Sequence, residues 1–353
     1  MRSTEPPIES VAAIAQRLAV LLAAGVAPHT AWTCLDEEST AAAGTAGAAA
    51  ARGRRFPRLL PGRRGRNDAV RVAELNALAL RAASRAAARG SDIAEALRGA
   101  VNTGETRPSD PVSLSEQRAA AAWLALAAAW AVAGEAGAPL AATLRGLAAT
   151  FRDQAQLERD LAVALAGPRA TARMVGAMPA IGVVFGALLG FDTISTLFRT
   201  VPGLICLALG GALMLAGAGW SRALVRRAAG TDDDGLMLEL VSIAMSGGMS
   251  TERARALADG VAKRFLIHAN TAGSRAIDGV LALSRRAGVP AVELLRSEAQ
   301  QARLRSRSAG EQRAARLAVT LMIPLGLCVL PAFMLVGVLP LLISVLSSTL
   351  DAF

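Results

Sequence analysis

The chain has 353 residues, 53% of them hydrophobic, and a mean hydropathy of +0.40, too apolar for an ordinary soluble protein, so part of its surface is expected to face lipid. Aromatic content is 3% with no tyrosine, and the apolar mass of alanine, leucine, valine and glycine suits close helix packing and excludes a β-sandwich core. The net charge of +10 is almost all arginine, Lys263 being the only lysine; with so few rings to stack on bases, it points to a membrane surface and not to nucleic acid.

The chain begins MRSTEPPIES, and Gln16 and Arg17 interrupt the mildly apolar stretch that follows, so no cleaved signal peptide is expected. Residues 1–172 read as an N-terminal cytoplasmic helical module. It contains a basic, low-complexity flexible insertion over 41–68 and a second loop, NTGETRPSDPVS, from Asn102 to Ser113. Its apolar run AAAAWLALAAAWAVAG, Ala119 to Gly134, is short and mostly alanine, which reads as a buried core helix and not as a span.

Residues 174–220 hold two runs long enough to cross a bilayer, Met174–Phe191 and Val201–Trp220, separated only by DTISTLFRT; they are expected to form a transmembrane hairpin. Residues 222–315 read as a second cytoplasmic helical module. Within it Leu236, Leu240 and Ile243 recur at helical spacing with Glu239, Ser242 and Ser246 opposite, an amphipathic pattern. The last run, 317–346, carries Pro324, Pro331 and Pro340. It is too short for two spans and a turn, so one long kinked helix is expected, with a re-entrant hairpin as the other path. The expected fold class is all-α: a polytopic membrane protein with two helical-bundle cytoplasmic modules and three transmembrane helices.

Arginine sets the expected orientation. Arg169 and Arg173 precede the first span, Arg222, Arg226 and Arg227 follow the second, and Arg303, Arg305, Arg307, Arg313 and Arg316 precede the third. The loop between the first two spans has only Arg199 and the tail SSTLDAF has no positive charge. The N-terminus and both modules are therefore placed inside, the C-terminus outside.

One element recurs: an apolar helix ending in glycine, then a residue that starts the next helix, at Gly25, Gly90, Gly137, Gly248 and Gly288. Glycine supplies the left-handed position of a tight helical hairpin. Pro28, Pro139 and Pro290 suit a first helical turn, and Ser250 and Asp92 are expected caps, Glu95 completing a capping box with Asp92. Gly25 and Gly137 precede the membrane hairpin and Gly248 and Gly288 precede the last span, a layout of two copies of one module.

That layout, with LLAAGVAPHTAW, EAGAPLAATLRGLAATFRDQAQLERDL, GFDTISTLFRTVPGLICLALGGALMLAGAGWSRALVRRA and LAVTLMIPLGLCVLPAFMLVGVLPLL, resembles the type II secretion system F family, especially its tight-adherence (Flp/Tad) pilus branch. The resemblance covers most of the chain outside 41–68. It implies an inner-membrane platform with a secretion ATPase, a pilin or pseudopilin, membrane lipids, and a paralogous or identical platform subunit as partners. The hairpins around Gly25, Gly137, Gly248 and Gly288 are then the candidate contact points.

No catalytic, cofactor or metal residue is expected. A P-loop needs a Gly-Lys pair, and the only lysine lies in GVAKRF. His29 and His268 belong to no ligand-spaced cluster, and Cys34, Cys206 and Cys328 form no CxxC. Asp232, Asp233 and Asp234 read as the acidic first turn of a helix capped by Thr231; a lipid phosphotransferase would use them to hold a metal, but the residues after Gly235 do not follow that pattern. No charge interrupts the spans, which disfavours a coupled transporter and leaves a permease subunit driven by a partner ATPase as the alternative. Small-residue stripes at Gly182, Gly186 and Gly190 and at Ala208, Ala212 and Ala216 are expected to pack helices.

Overall fold

The computed structural model describes residues 6–52, 63–105, 113–164, 201–228, 234–265, 267, 271–340 and 342, with isolated residues between 166 and 188. Among the described residues every regular element is helical. In chain order they are α1 (Pro7–Ala23), α2 (Pro28–Arg52), α3 (Arg63–Ala88), α4 (Ile93–Glu105), α5 (Leu114–Ala136), α6 (Leu140–Ala164), α7 (Val201–Ala228), α8 (Asp234–Ser246), α9 (Thr251–Arg264), α10 (Thr271–Ala287) and α11 (Ala291–Thr320). Beyond Leu321 the chain stays helical through Met322–Pro324, Leu325–Val329, Leu330–Phe333 and Met334–Val338. Two compact units result, Met1–Glu158 with Asp232–Arg307, and Arg159–Thr231 with Ser308–Phe353.

The first unit is built on α5. Ser113 caps it by accepting a hydrogen bond from the Glu116 amide, and Gly137 ends it at φ 67°, with the Ala138 amide reaching back to the Ala133 carbonyl at 2.9 Å. Nearly half of α5 is alanine, so neighbouring helices approach closely on every side. It packs against α1, α3, α4, α8 and α9, with Trp123, Leu126 and Val132 fully buried. α5 is one of three helices long and apolar enough to cross a membrane, but 78% of its apolar stretch is buried inside the protein, against 22% for Val201–Ser221 and 25% for Ala291–Val338. The core-helix reading of Ala119–Gly134 agrees with that burial.

Both stretches that the sequence reads as separate modules feed one hydrophobic core. Leu18, Trp32, Leu97 and Leu144 come from the first, and Leu238, Leu240, Phe265 and Ile277 from the second. Two local expectations change. α8 is more enclosed than expected: Met237, Leu238, Leu240, Val241, Ser242, Ile243 and Ala244 are buried, Glu239 and Ser246 stay half-buried, and Ser242 and Ser246 satisfy their hydroxyls on the Glu239 and Ile243 carbonyls of their own helix. The flexible insertion read over 41–68 is helical through Arg52 and again from Arg63, as the high helix propensity of its alanines favours; residues 53–62 lie outside the described residues.

In the second unit α7 runs antiparallel to the helix after Leu321. A Cβ added to Gly210 would lie 2.3 Å from Val336 Cγ2 and 3.4 Å from the Ala332 carbonyl, and one added to Gly217 would lie 2.9 Å from Cys328 Cβ. Gly203, Cys206, Gly210 and Gly217 form the buried stripe of α7, whereas Ala208, Ala212 and Ala216 are exposed. The expected alanine stripe is thus replaced by a stripe of glycines with Cys206, because at Gly210 and Gly217 only a residue without a Cβ admits the partner helix so closely.

The last helix is continuous through Pro324 and Pro331, and it widens into π-helical turns at Leu325–Val329 and Met334–Val338. Each turn contains the residue four before a proline, Leu327 before Pro331 and Val336 before Pro340, where the ring would meet a carbonyl that its own nitrogen cannot bond. Cys328 and Val336, in the two widened turns, are the residues that oppose Gly217 and Gly210. α7 has no side chain where its neighbour bulges.

Candidate functional site

Three of the predicted hairpin turns gather at one end of the first unit. Asn76 on α3 donates from Nδ2 to Ser10 Oγ at 2.9 Å and accepts from Trp123 Nε1 at 2.8 Å, which sets Ser10 of α1 level with Trp123 of α5. Trp32, on the returning helix α2, meets Trp130 edge-on with ring centroids 5.6 Å apart. Both ties hold only if α1 and α5 run parallel, and Gly25 and Gly137 then finish the two helices at the same level. Gly247 brings in α8: a Cβ there would fall 2.0 Å from the Ala136 carbonyl oxygen, so the Gly248 turn abuts the Gly137 turn.

Gly25, Gly90, Gly137, Gly248 and Gly288 all have positive φ, between 65° and 88°, as the turn pattern predicts. Around the shared end Val20, Ala24, Pro28, His29, Gly134 and Pro139 are exposed, with Glu135, Glu252 and Arg253 as charges. The Gly288 turn joins α10 to α11 and exposes Leu283 and Val289 beside it. Gly182 lies near the last helix, where an added Cβ would be 3.4 Å from Gly337 Cα. Gly186, Gly190, His268, Thr231, Asp232 and Asp233, and most of Met174–Phe191, lie outside the described residues.

A polar cluster that the sequence reading missed ties the two halves of the first unit together. Asp92 caps α4 as expected, its Oδ1 accepting from the Ala94 amide at 2.9 Å and the Glu95 amide at 3.3 Å. Glu95, expected to close a capping box, instead accepts from Arg98 and from Arg264 at the end of α9. Arg264 also reaches Asp92 Oδ2 at 3.0 Å, and its hydrogen bond to Glu95 raises its pKa further. The guanidinium draws Glu95 away from its own backbone because a charged donor outweighs a neutral one. Ser250, the other expected cap, begins α9 without a side-chain cap bond, and its carbonyl accepts from the Ala254 amide at 2.8 Å.

Two further carboxylates are held inside the first unit. Burial pushes the Glu158 carboxyl above its ordinary value, opposed by Arg118 at 3.1 Å. Glu239 of α8 accepts from Thr150 Oγ1 at 3.3 Å and sits 3.3 Å from where a Cβ on Gly146 would lie, so α6 offers it a hydroxyl and a gap. Among the described residues no group of His, Cys, Asp or Glu could hold a metal ion. The described residues form an all-helical protein with apolar helices long enough to span a membrane.

Residues 76–187, from the second half of α3 to the first apolar run, match the family model for Type II secretion system (T2SS), protein F. Over that stretch the chain is similar to a family whose members are membrane platform proteins working with other subunits of secretion machinery. Proteins of that family are not known enzymes. Comparisons with curated proteins and with solved structures gave no match.

Proposed function

We propose that this chain is a non-enzymatic inner-membrane platform of a Flp/Tad-type pilus or related secretion machine, coupling a separate cytoplasmic ATPase to the extraction and assembly of pilin or pseudopilin. The match of residues 76–187 to the protein F family carries the reading. In this proposal residues 1–172 and 222–315 lie in the cytoplasm, 174–220 and 317–346 cross the membrane, and the C-terminus is outside. The flanking arginines and the antiparallel pairing of α7 with the last helix support that direction. Gly25, Gly137, Gly248 and Gly288 are proposed contact hairpins, and Gly182, Gly186 and Gly190 proposed packing positions, within this chain or against a second or paralogous copy.

A strain lacking the chain is expected to retain pilin in the inner membrane and to show no surface fibres, with both defects reversed by the intact gene. Normal fibres in that strain would end the proposal. A permease subunit is the competing reading, and it is disfavoured because no charged residue interrupts Val201–Trp220 or 317–340. Loss of solute uptake with fibres intact would favour it.

A further inference from the structure

The first unit finds carboxylates for many of its arginines, pairing Arg17 with Glu38, Arg118 with Glu158, Arg255 with Asp278, and Arg264 with Asp92 and Glu95. The C-terminal end of α3 and the turn residue after it carry a different arrangement. Arg81, Arg85 and Arg89 recur at i, i+4 and i+8, all exposed, and none has an ion pair among the described residues. Like charges at this spacing repel, a cost that bonds to the last carbonyls and the helix dipole offset only in part.

The line is also ordered. Arg85 Nε donates to the Arg81 carbonyl and Arg89 Nε to the Arg85 carbonyl, each at 3.1 Å, which holds these two guanidinium groups along the helix at its repeat of about 6 Å, with Arg81 one repeat before them. Towards the start of α3 the same exposed line continues through Leu78, 38% exposed, before it reaches Glu74. The result is a ladder of cationic forks with an apolar foot.

We propose that this ladder is a docking face for a partner protein that presents a helix with carboxylates at the same i, i+4, i+8 repeat and an apolar side chain for Leu78. Charge complementarity sets the sign of the occupant, and the fixed spacing sets its class. A guanidinium fork pairs best with a carboxylate held in register, and an α-helix repeats its side chains at the same interval as α3. Lipid headgroups diffuse laterally and impose no spacing, and the line has no aromatic ring to stack a base. The inference stands on α3 alone and does not require the platform function.

The test uses the full chain in neutral detergent and a fluorescein-labelled, alanine-based helical peptide of about 20 residues with Glu at i, i+4 and i+8 and Leu one turn beyond. Its anisotropy titration is compared with that of a scrambled peptide of identical composition and with phosphatidylglycerol vesicles. Replacing all three residues, R81Q/R85Q/R89Q, is expected to weaken the ordered peptide about tenfold or more and to lessen its salt dependence, with the melting temperature held. The charge swap R81E/R85E/R89E is expected to lose the Glu peptide and gain its Lys counterpart, a readout that a misfolded variant would not give. Equal binding of ordered and scrambled peptides, or unchanged binding after R81Q/R85Q/R89Q, would overturn the proposal. So would a loss confined to the vesicles.

Discussion

Replacing Gly247 by alanine puts a methyl group where the end of α5 already is. The ideal Cβ would lie 2.0 Å from the Ala136 carbonyl oxygen, 2.7 Å from its carbonyl carbon and 3.0 Å from its Cβ. A relaxed C···O contact is about 3.3–3.6 Å, so the two helix ends must separate by more than about 1 Å. The obstacle is backbone and cannot swing aside, which places the cost near the top of the overpacking range, about 3 kcal/mol. For a body of this size 1 kcal/mol moves Tm by about 2–4 °C, so a fall of about 6–12 °C is expected. Tryptophan fluorescence in detergent is a suitable monitor, since Trp32, Trp123 and Trp130 are buried in the first unit. The control is Gly260→Ala, in the interior of α9 with nothing within 4 Å of its added Cβ, which is expected to gain about 0.5–1 kcal/mol. A Gly247→Ala protein that melts with the wild type would refute the abutment of the Gly137 and Gly248 turns.

Asn76→Ala strands the Trp123 indole N–H in a fully buried position and is expected to cost about 2–3 kcal/mol, whereas Ser10→Ala costs less; thermal melts rank the two. Arg264→Gln removes a partly exposed link to Asp92 and Glu95, so its loss is expected to be only about 1 kcal/mol and to shrink in high salt, read by melting at two ionic strengths. Glu158 has a folded pKa above the ordinary 4.5, so its stabilising contribution is complete below that value and is lost as pH rises through the raised one. Glu158→Gln should flatten that part of the stability profile, measured as Tm from about pH 4 to pH 7. Gly210→Ala meets Val336 and is expected to lower the detergent melting temperature, while Ala208→Leu, on the exposed face of α7, leaves it nearly unchanged.

The helical class and the five hairpin glycines were legible because their signals are local: a left-handed glycine after an apolar helix follows from the backbone of a few residues. The core position of α5 was legible from its length and alanine content. What escaped was set by partners distant in sequence. Glu95 has the spacing of a capping box, and only Arg264, delivered by α9, draws it away. Ser242 has the character of a surface residue, yet α8 is enclosed by α5, α9 and α10. Ala208, Ala212 and Ala216 form as regular a stripe as Gly210 and Gly217, and the choice between them depended on where the proline-widened turns of the last helix bulge. The arginine line at the end of α3 was visible letter by letter, but its lack of ion pairs among the described residues is a property of the folded surface.

The central place of α5 has a consequence for how the chain is made. Eleven of its 23 residues are alanine, and its core neighbours α8 and α9 are encoded about a hundred residues later, after the apolar runs. At about 5–20 residues per second a nascent chain would wait on the order of 5–20 s between making α5 and making α8 and α9. Throughout that interval α1, α3 and α4 can already pack on α5, but the face that α8 and α9 will cover stays open. A leucine-rich version would gain far more from lipid and risk being threaded across it. Alanine gives the helix enough apolar surface to anchor a core once its neighbours arrive and too little to commit it to the membrane beforehand.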